Sequence, residues 1–244
     1  MFNLFRKRDK PEEAPQETKP DPDSDPKALE DELRWIFPPK TLVDPADWDN
    51  YWREQIAHNV AGMTDMFCRD GALIDVMRAN NFESVLCVGP GLSSEPLALA
   101  AAGFKVTALD LSPLVIEKLS SVKFPDEAFD QILEGRERRL AGSLRCVAGD
   151  LCDRSLCPGP FDVVIERLTL QLYPDDQRDG AMQAVADRLA GRGIFFSQFH
   201  DGGWHPPAPR VHRNESWFMA HGWQHWFGAG SLSGRIAWLY TTTG

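Results

Sequence analysis

Residues 85–113 read VLCVGPGLSSEPLALAAAGFKVTALDLSP. An apolar run at 85–88 halts at Gly89-Pro90-Gly91, resumes as an alanine- and leucine-rich segment, and ends on Leu111-Ser112-Pro113. Short apolar runs bounded by glycine read as buried strands, and alanine-leucine spacing reads as a helix. The stretch is therefore read as a strand (84–89), a helix (93–103) stopped by Gly103, and a second strand (105–112). In an open parallel sheet a ligand sits beyond the carboxyl ends of the strands, where this glycine turn falls. Gly89 and Gly91 let the backbone pass close to a ligand, and Pro90 stiffens the turn. Ser93 and Ser94 are candidate helix caps whose amides favour an anionic group. Asp110 closes the second strand roughly 20 positions after the first glycine, a spacing at which a carboxylate accepts hydrogen bonds from both hydroxyls of an adenosine ribose. This local pattern serves NAD and S-adenosylmethionine equally.

The same alternation continues outward. The spacing predicts a helix over 44–67, with Asp44 as N-cap and Pro45 in the first turn, and a second helix over 71–81. After the quoted stretch it predicts a helix over 113–124 and strands over 144–151 and 159–169. A helix over 176–191 with a glycine stop and a strand over 193–202 follow, then a short helix over 216–222 and strands over 223–228 and 235–244. Strands alternating with helices imply an α/β fold: a doubly wound, mostly parallel seven-stranded sheet with helices on both faces. The last two strands lack room for a helix between them, so they are expected to pair as a hairpin with an antiparallel last strand. The segment 120–143 reads as either a helical insertion near the pocket or plain structure.

Composition bounds the rest. The chain has 244 residues, 43% hydrophobic and 25% charged, with a formal net charge of −10. That is ordinary globular composition, and the acidic balance disfavours a phosphate backbone as partner. Residues 1–32 form a proline-rich acidic segment with too little apolar content for a core, expected to be a disordered tail. Residues 33–82 are expected to be an N-terminal helical cap and 83–244 the main domain. The five cysteines show no paired metal-ligand spacing, which points to reduced thiols and a cytoplasmic location. No run is long enough for a membrane-spanning helix.

Four features turn the pattern toward S-adenosylmethionine. Ser94 stands where a dinucleotide fingerprint has its third glycine. VTALDLSPLVIEKL (106–119) resembles the region after the glycine motif of class I S-adenosylmethionine-dependent methyltransferases, which have a seven-stranded, Rossmann-like fold. AGDL (148–151) resembles their third-strand motif, and the final strand pair resembles their antiparallel seventh strand. The resemblance spans about residues 44–244. It implies that Gly89, Pro90, Gly91 and Ser93 line the cofactor, that Asp110 holds the ribose and Leu111 packs on the adenine, and that Asp150 bonds the adenine amino group beside Leu151. It places Glu166 and Arg167 near the methyl donor. Two departures stand out: Cys87 replaces the acidic residue expected two positions before the first glycine, and Ser93 replaces a third glycine. The first would loosen the hold on the methionine end.

The resemblance implies methyl transfer from S-adenosyl-L-methionine, leaving S-adenosyl-L-homocysteine, with no metal. Such a transfer needs alignment, and a base if the nucleophile is protonated. His200, at the carboxyl end of the fifth strand, is the first candidate base, and His205 the second. Glu166 is a base, an orienting group for the methionine amino group, or only a strand-end carboxylate paired with Arg167. Arg167 binds an acidic substrate or serves Glu166 alone. A His200–His205–His212 metal site with Asp201 fits no known zinc spacing. Trp48, Trp52, Trp204 and Trp217 are either an aromatic lid or peripheral packing, and Trp226 and Trp238 favour packing. No Asn-Pro-Pro-Tyr follows strand four, which argues against base-amine methylation of DNA. A small-molecule acceptor is favoured and a protein acceptor stays open. The alternatives are a catalytically inactive methyltransferase-fold binding or regulatory protein and, more remotely, an NAD-dependent oxidoreductase, for which no Tyr-x-x-x-Lys exists.

Overall fold

Alternation within the strands decides the layering. The computed structural model describes residues 44–57, 71–121, 142–199, 216–225, 230–232 and 235–242, all within one unit, Lys40–Gly244. In β1 (Ser84–Val88), Val85 and Cys87 face one core while Leu86 and Val88 face another. All four are buried. A strand with two apolar faces requires cover on both sides, the condition of a parallel sheet.

Before β1 come α1 (Pro45–Ala57) and α2 (Gly71–Ala79). After it come α3 (Glu95–Ala101), β2 (Lys105–Asp110) and α4 (Pro113–Ser121). Then follow β3 (Ser143–Ala148), β4 (Phe161–Arg167), α5 (Arg178–Ala186) and β5 (Leu189–Phe199). Strands β1 to β5 pair parallel in the order β3-β2-β1-β4-β5. Leu73, Ile74 and Met77 of α2 and Leu99 of α3 pack against Val85, Cys87, Val106 and Ile165. Met182 and Val185 of α5, with Phe218 of a helical segment at 216–220, pack against Leu86, Val164 and Phe195 on the opposite face. The fold is thus α/β, with helices against both faces of a parallel sheet.

The remaining strands are β6 (Trp223–His225), β7 (Gly230–Leu232) and β8 (Arg235–Thr242). By backbone pairing β8 runs antiparallel to β5, β6 and β7. Among the described residues the sheet has eight strands, one more than the sequence spacing predicts. The addition is β7, which pairs with the first residues of β8.

Two local boundaries also differ from expectation. The helix predicted over 176–191 ends at Ala186, and β5 already pairs at Leu189 opposite Phe161. The register then shifts, and Val163 faces Ile194. The stretch read as a glycine helix stop is an irregularity inside the strand. A β-carbon on Gly193 would lie 2.7 Å from the carbonyl oxygen of Asp162, so only glycine fits there. In α3 the N-cap Ser94 makes no side-chain capping bond. Ser93 Oγ instead accepts the Glu95 amide at 3.1 Å.

The strand order fixes where a ligand can enter. From β1 the chain builds outward to β2 and β3, then returns to β1's other side with β4. The order reverses between β1 and β4, and a crevice opens at the carboxyl ends of strands at such a point.

Candidate active site

At that crevice the glycine turn is tightly specified. Gly89 and Gly91 have φ of +56° and +55°, in the left-handed region. A β-carbon on Gly89 would lie 2.4 Å from Thr169 Oγ1, and one on Gly91 would lie 2.5 Å from the indole of Trp52. The glycines therefore admit two side chains from distant parts of the chain as well as the turn itself. Thr169 Oγ1 lies 3.2 Å from the carbonyl oxygens of both Val88 and Gly89.

Asp110, at the end of β2, is 7% exposed. Its Oδ2 accepts the Gly91 amide and its Oδ1 the Ser112 amide, each at 2.9 Å. Burial raises its pKa to about 6; the two amides oppose the rise, and the nearby Asp49 carboxylate adds to it. Asp49 belongs to α1. Its Oδ1 accepts the Ser112 hydroxyl and, at 3.1 Å, the Leu114 amide at the start of α4. Asp49 and Trp52 are three apart on one helical face. Through them α1 reaches α4 and the glycine turn respectively. Trp52 is among the tryptophans that the sequence offers as either an aromatic lid or peripheral packing, whereas Asp49 carries no site assignment there; the signal available for it was an acid and an aromatic at helical spacing.

The end of β4 carries two charged residues with different employment. Glu166 is 2% exposed. Its Oε2 accepts the amides of Thr169 at 2.9 Å and Leu170 at 3.2 Å, and its Oε1 accepts the Ser197 hydroxyl from adjacent β5. Desolvation raises its pKa to about 7 against these three donors. The carboxylate thereby holds the turn after β4, in which Leu168 adopts φ +65° and Leu170–Leu172 form a 3-10 turn. Glu166 is engaged with the fold through these three donors, and the neighbouring charge of Arg167 also opposes the rise in its pKa. Arg167 itself forks onto Glu95, its Nε 2.9 Å from each carboxylate oxygen and its Nη2 bonded to Oε1. The two side chains are 7% and 9% exposed. The guanidinium also lies 4.6 Å from the ring centre of Phe196, a cation–π arrangement. A cleft beside the glycine turn is walled by Cys87, Val88, Pro90 and Ile165 and bordered by this ion pair. Burial, with Glu95 nearby, pushes the Cys87 thiol well up.

Asp150 stands half-buried after β3, accepting the Cys152 amide at 2.9 Å and the Tyr173 hydroxyl at 3.1 Å on Oδ1. Leu151 is 2% exposed and packs in the α5-side core, whereas Leu111 is half-buried. The structure thus brings Gly89, Pro90, Gly91, Ser93, Asp110 and Arg167 to one end of the sheet. His200, His205, His212, Asp201, Trp204 and Trp226 lie outside the described residues, as do 1–43 and 122–141. Among described residues, no cluster of three or more His, Cys, Asp or Glu could hold a metal, and no helix is long and apolar enough to cross a membrane. Trp223 is buried against Phe195 and Phe218, so it is core. Trp217 stacks on His221 with ring centres 3.8 Å apart.

No protein-family model matches the sequence. No curated protein matches it either. Solved structures do match in fold. A TehB-like SAM-dependent methyltransferase from Corynebacterium glutamicum superposes with a TM-score of 0.54 at 19% identity, covering 82% of this chain and 100% of that one. Magnesium protoporphyrin IX methyltransferase from Synechocystis, solved with bound SAM, gives 0.51 at 14% identity over 88% of this chain and 91% of its own. A SAM-dependent methyltransferase from Methanosarcina mazei gives 0.51 at 12% identity, over 66% and 92%. At these identities the likeness is one of architecture: the chain shares its fold with these solved proteins named as methyltransferases.

Proposed function

We propose that this protein is an S-adenosylmethionine-dependent methyltransferase acting on a small-molecule acceptor. The observation that carries the reading is Asp110: a buried carboxylate at the end of β2, bonded to the amide of a left-handed glycine in the turn after β1. It lies beside the point where the strand order reverses. An acid so placed suits a pair of vicinal hydroxyls, as on a ribose. The residues fit the cofactor in three respects: Asp110 for the ribose, Asp150 and Leu111 for the adenine with Leu151 adjacent in the core, and the Gly89-Pro90-Gly91-Ser93 turn beneath the chain joining ribose to sulfur. The fold neighbours named as SAM-dependent methyltransferases support the same reading.

When bound, the cofactor supplies a methyl group activated on a sulfonium. The protein's share is alignment and desolvation. Because Glu166 already accepts three protein donors, we assign it a positioning role, holding the turn that carries Thr169 against Gly89. His200 remains the proposed general base for a protonated nucleophile. The helices before β1 are proposed as a cap, since α1 reaches the glycine turn through Trp52. The product is S-adenosylhomocysteine, and the proposed location is the cytoplasm.

Calorimetric titration with S-adenosylmethionine, S-adenosylhomocysteine and NAD tests the reading. The expected result is binding of the first two, lost in Asp110→Ala. Absence of adenosyl binding, or binding indifferent to Asp110→Ala, refutes it. The alternative, a binding protein without turnover, is favoured by the Cys87 substitution and would show affinity with no methylated product from any acceptor pool.

A further inference from the structure

We infer that Glu95 and Arg167 together form the subsite for an α-amino acid zwitterion, the methionyl end of the adenosyl cofactor, with Glu95 supplying the carboxylate that Cys87 does not. The inference rests on the cofactor reading above. Glu95 opens α3 and Arg167 closes β4, so their pairing spans the crevice between β1 and β4. Both side chains are more than nine-tenths buried. A buried ion pair is a poor device for stability alone, because desolvation of both charges offsets their attraction. This one borders a cleft whose other lining residues, Cys87, Val88, Pro90, Ser93 and Ile165, carry no charge. The cleft therefore offers one anion and one cation side by side on an uncharged background.

An amino acid zwitterion presents the complementary pair. Its ammonium has three donors for a carboxylate, and its carboxylate accepts from the planar fork of a guanidinium. Net charge is conserved on binding, so the site discriminates against ligands carrying only one of the two charges. Cys87 lines the same cleft, and its thiol is held protonated by burial and by Glu95. A neutral group at the strand position and a carboxylate on the facing helix amount to a relocation of the anion by one element. Arg167 is held for this role by stacking on Phe196.

The test compares S-adenosylhomocysteine with 5′-methylthioadenosine, which keeps the nucleoside and lacks the amino acid, and with free methionine. All are titrated against the full chain, Glu95→Gln and Glu95→Asp. The wild type should bind S-adenosylhomocysteine at least about tenfold more tightly than the truncated nucleoside, the scale of one charge-assisted bond pair. Glu95→Gln should remove most of that preference while leaving 5′-methylthioadenosine affinity within about twofold, and Glu95→Asp should restore part of it. Retained nucleoside binding also certifies that the variant is folded; should Glu95→Gln not fold, Glu95→Asp and the wild-type ratio carry the comparison. Equal wild-type affinities, or a preference unchanged in both variants, overturn the inference and leave the cofactor reading intact. Methionine binding as tightly without the nucleoside overturns the assignment to the cofactor. A wild type that binds neither nucleoside overturns both.

Discussion

Glu166 allows a quantitative prediction, because it is buried among donors that do not fully compensate its charge. Desolvation lifts its pKa from 4.5 to about 7 despite three hydrogen bonds. In the unfolded chain it titrates near its ordinary value. Between those two pH values the native state binds the extra proton, so stability falls as pH rises through the window. At about 1.4 kcal/mol per pH unit, the rise amounts to roughly 3 kcal/mol lost by pH 8 relative to pH 4. Glu166→Gln removes the titration. Its amide oxygen can accept from Thr169 and Leu170, and its NH₂ can donate to Ser197. The difference in unfolding free energy between variant and wild type should therefore move by about 3 kcal/mol in the variant's favour from pH 4 to pH 8 and then level off. For a chain of this size that corresponds to a relative shift of roughly 6 to 12 °C in midpoint temperature. Urea unfolding followed by far-ultraviolet circular dichroism at pH 4, 5, 6, 7 and 8 measures it. Asp110 titrates in both proteins and cancels in the difference. Parallel stability curves would refute the burial argument. A variant that loses ground as pH rises would show that the three donors outweigh desolvation.

Three further outcomes follow from the glycine turn and its neighbours. Gly89→Ala combines a left-handed φ with contact against Thr169 and should cost about 1–3 kcal/mol in urea unfolding; Thr169→Ala in the same chain should return part of it. Affinity for S-adenosylhomocysteine should weaken as pH falls through about 6, where the Asp110 carboxylate protonates, and Asp110→Asn should abolish that dependence in calorimetry. Asp49→Asn keeps acceptors for Ser112 and Leu114 but removes a like charge that raises Asp110, so the midpoint of the affinity–pH curve should move to lower pH.

What could be read in the sequence is what local chemistry determines. A strand stopped by glycine, an alanine-leucine helix and an aspartate closing the next strand are each set by residues within a few positions of one another. The parallel β1–β2–β3 register, with Val88 beside Leu109 and Asp110 beside Ala148, follows from that rhythm. Pairings between distant segments left weaker traces. Arg167 was visible as a strand-end cation, but nothing local in the sequence marked Glu95 as its partner. Trp52 reads as either an aromatic lid or peripheral packing, and nothing local linked it to Gly91. Gly191 reads as a helix stop because glycine marks stops and bulges alike; only the register of β4 against β5 separates them.

The same contrast explains why Cys87 misleads when considered alone. Judged by its own strand, the loss of an acid there predicts a weaker hold on a cationic group. Considered with the elements facing it, the position lies in a cleft that already contains a carboxylate from α3 and a guanidinium from β4. A second acid at 87 would stand beside Glu95 in a site largely removed from water, where like charges raise each other's pKa and one would be held neutral. An uncharged residue at 87 keeps the Glu95–Arg167 pair balanced. The substitution that first suggested a lost activity is therefore the condition under which a buried pair can keep both of its charges. That view is tested by Cys87→Asp, which should weaken S-adenosylhomocysteine binding; tighter binding would place the working anion on β1 after all.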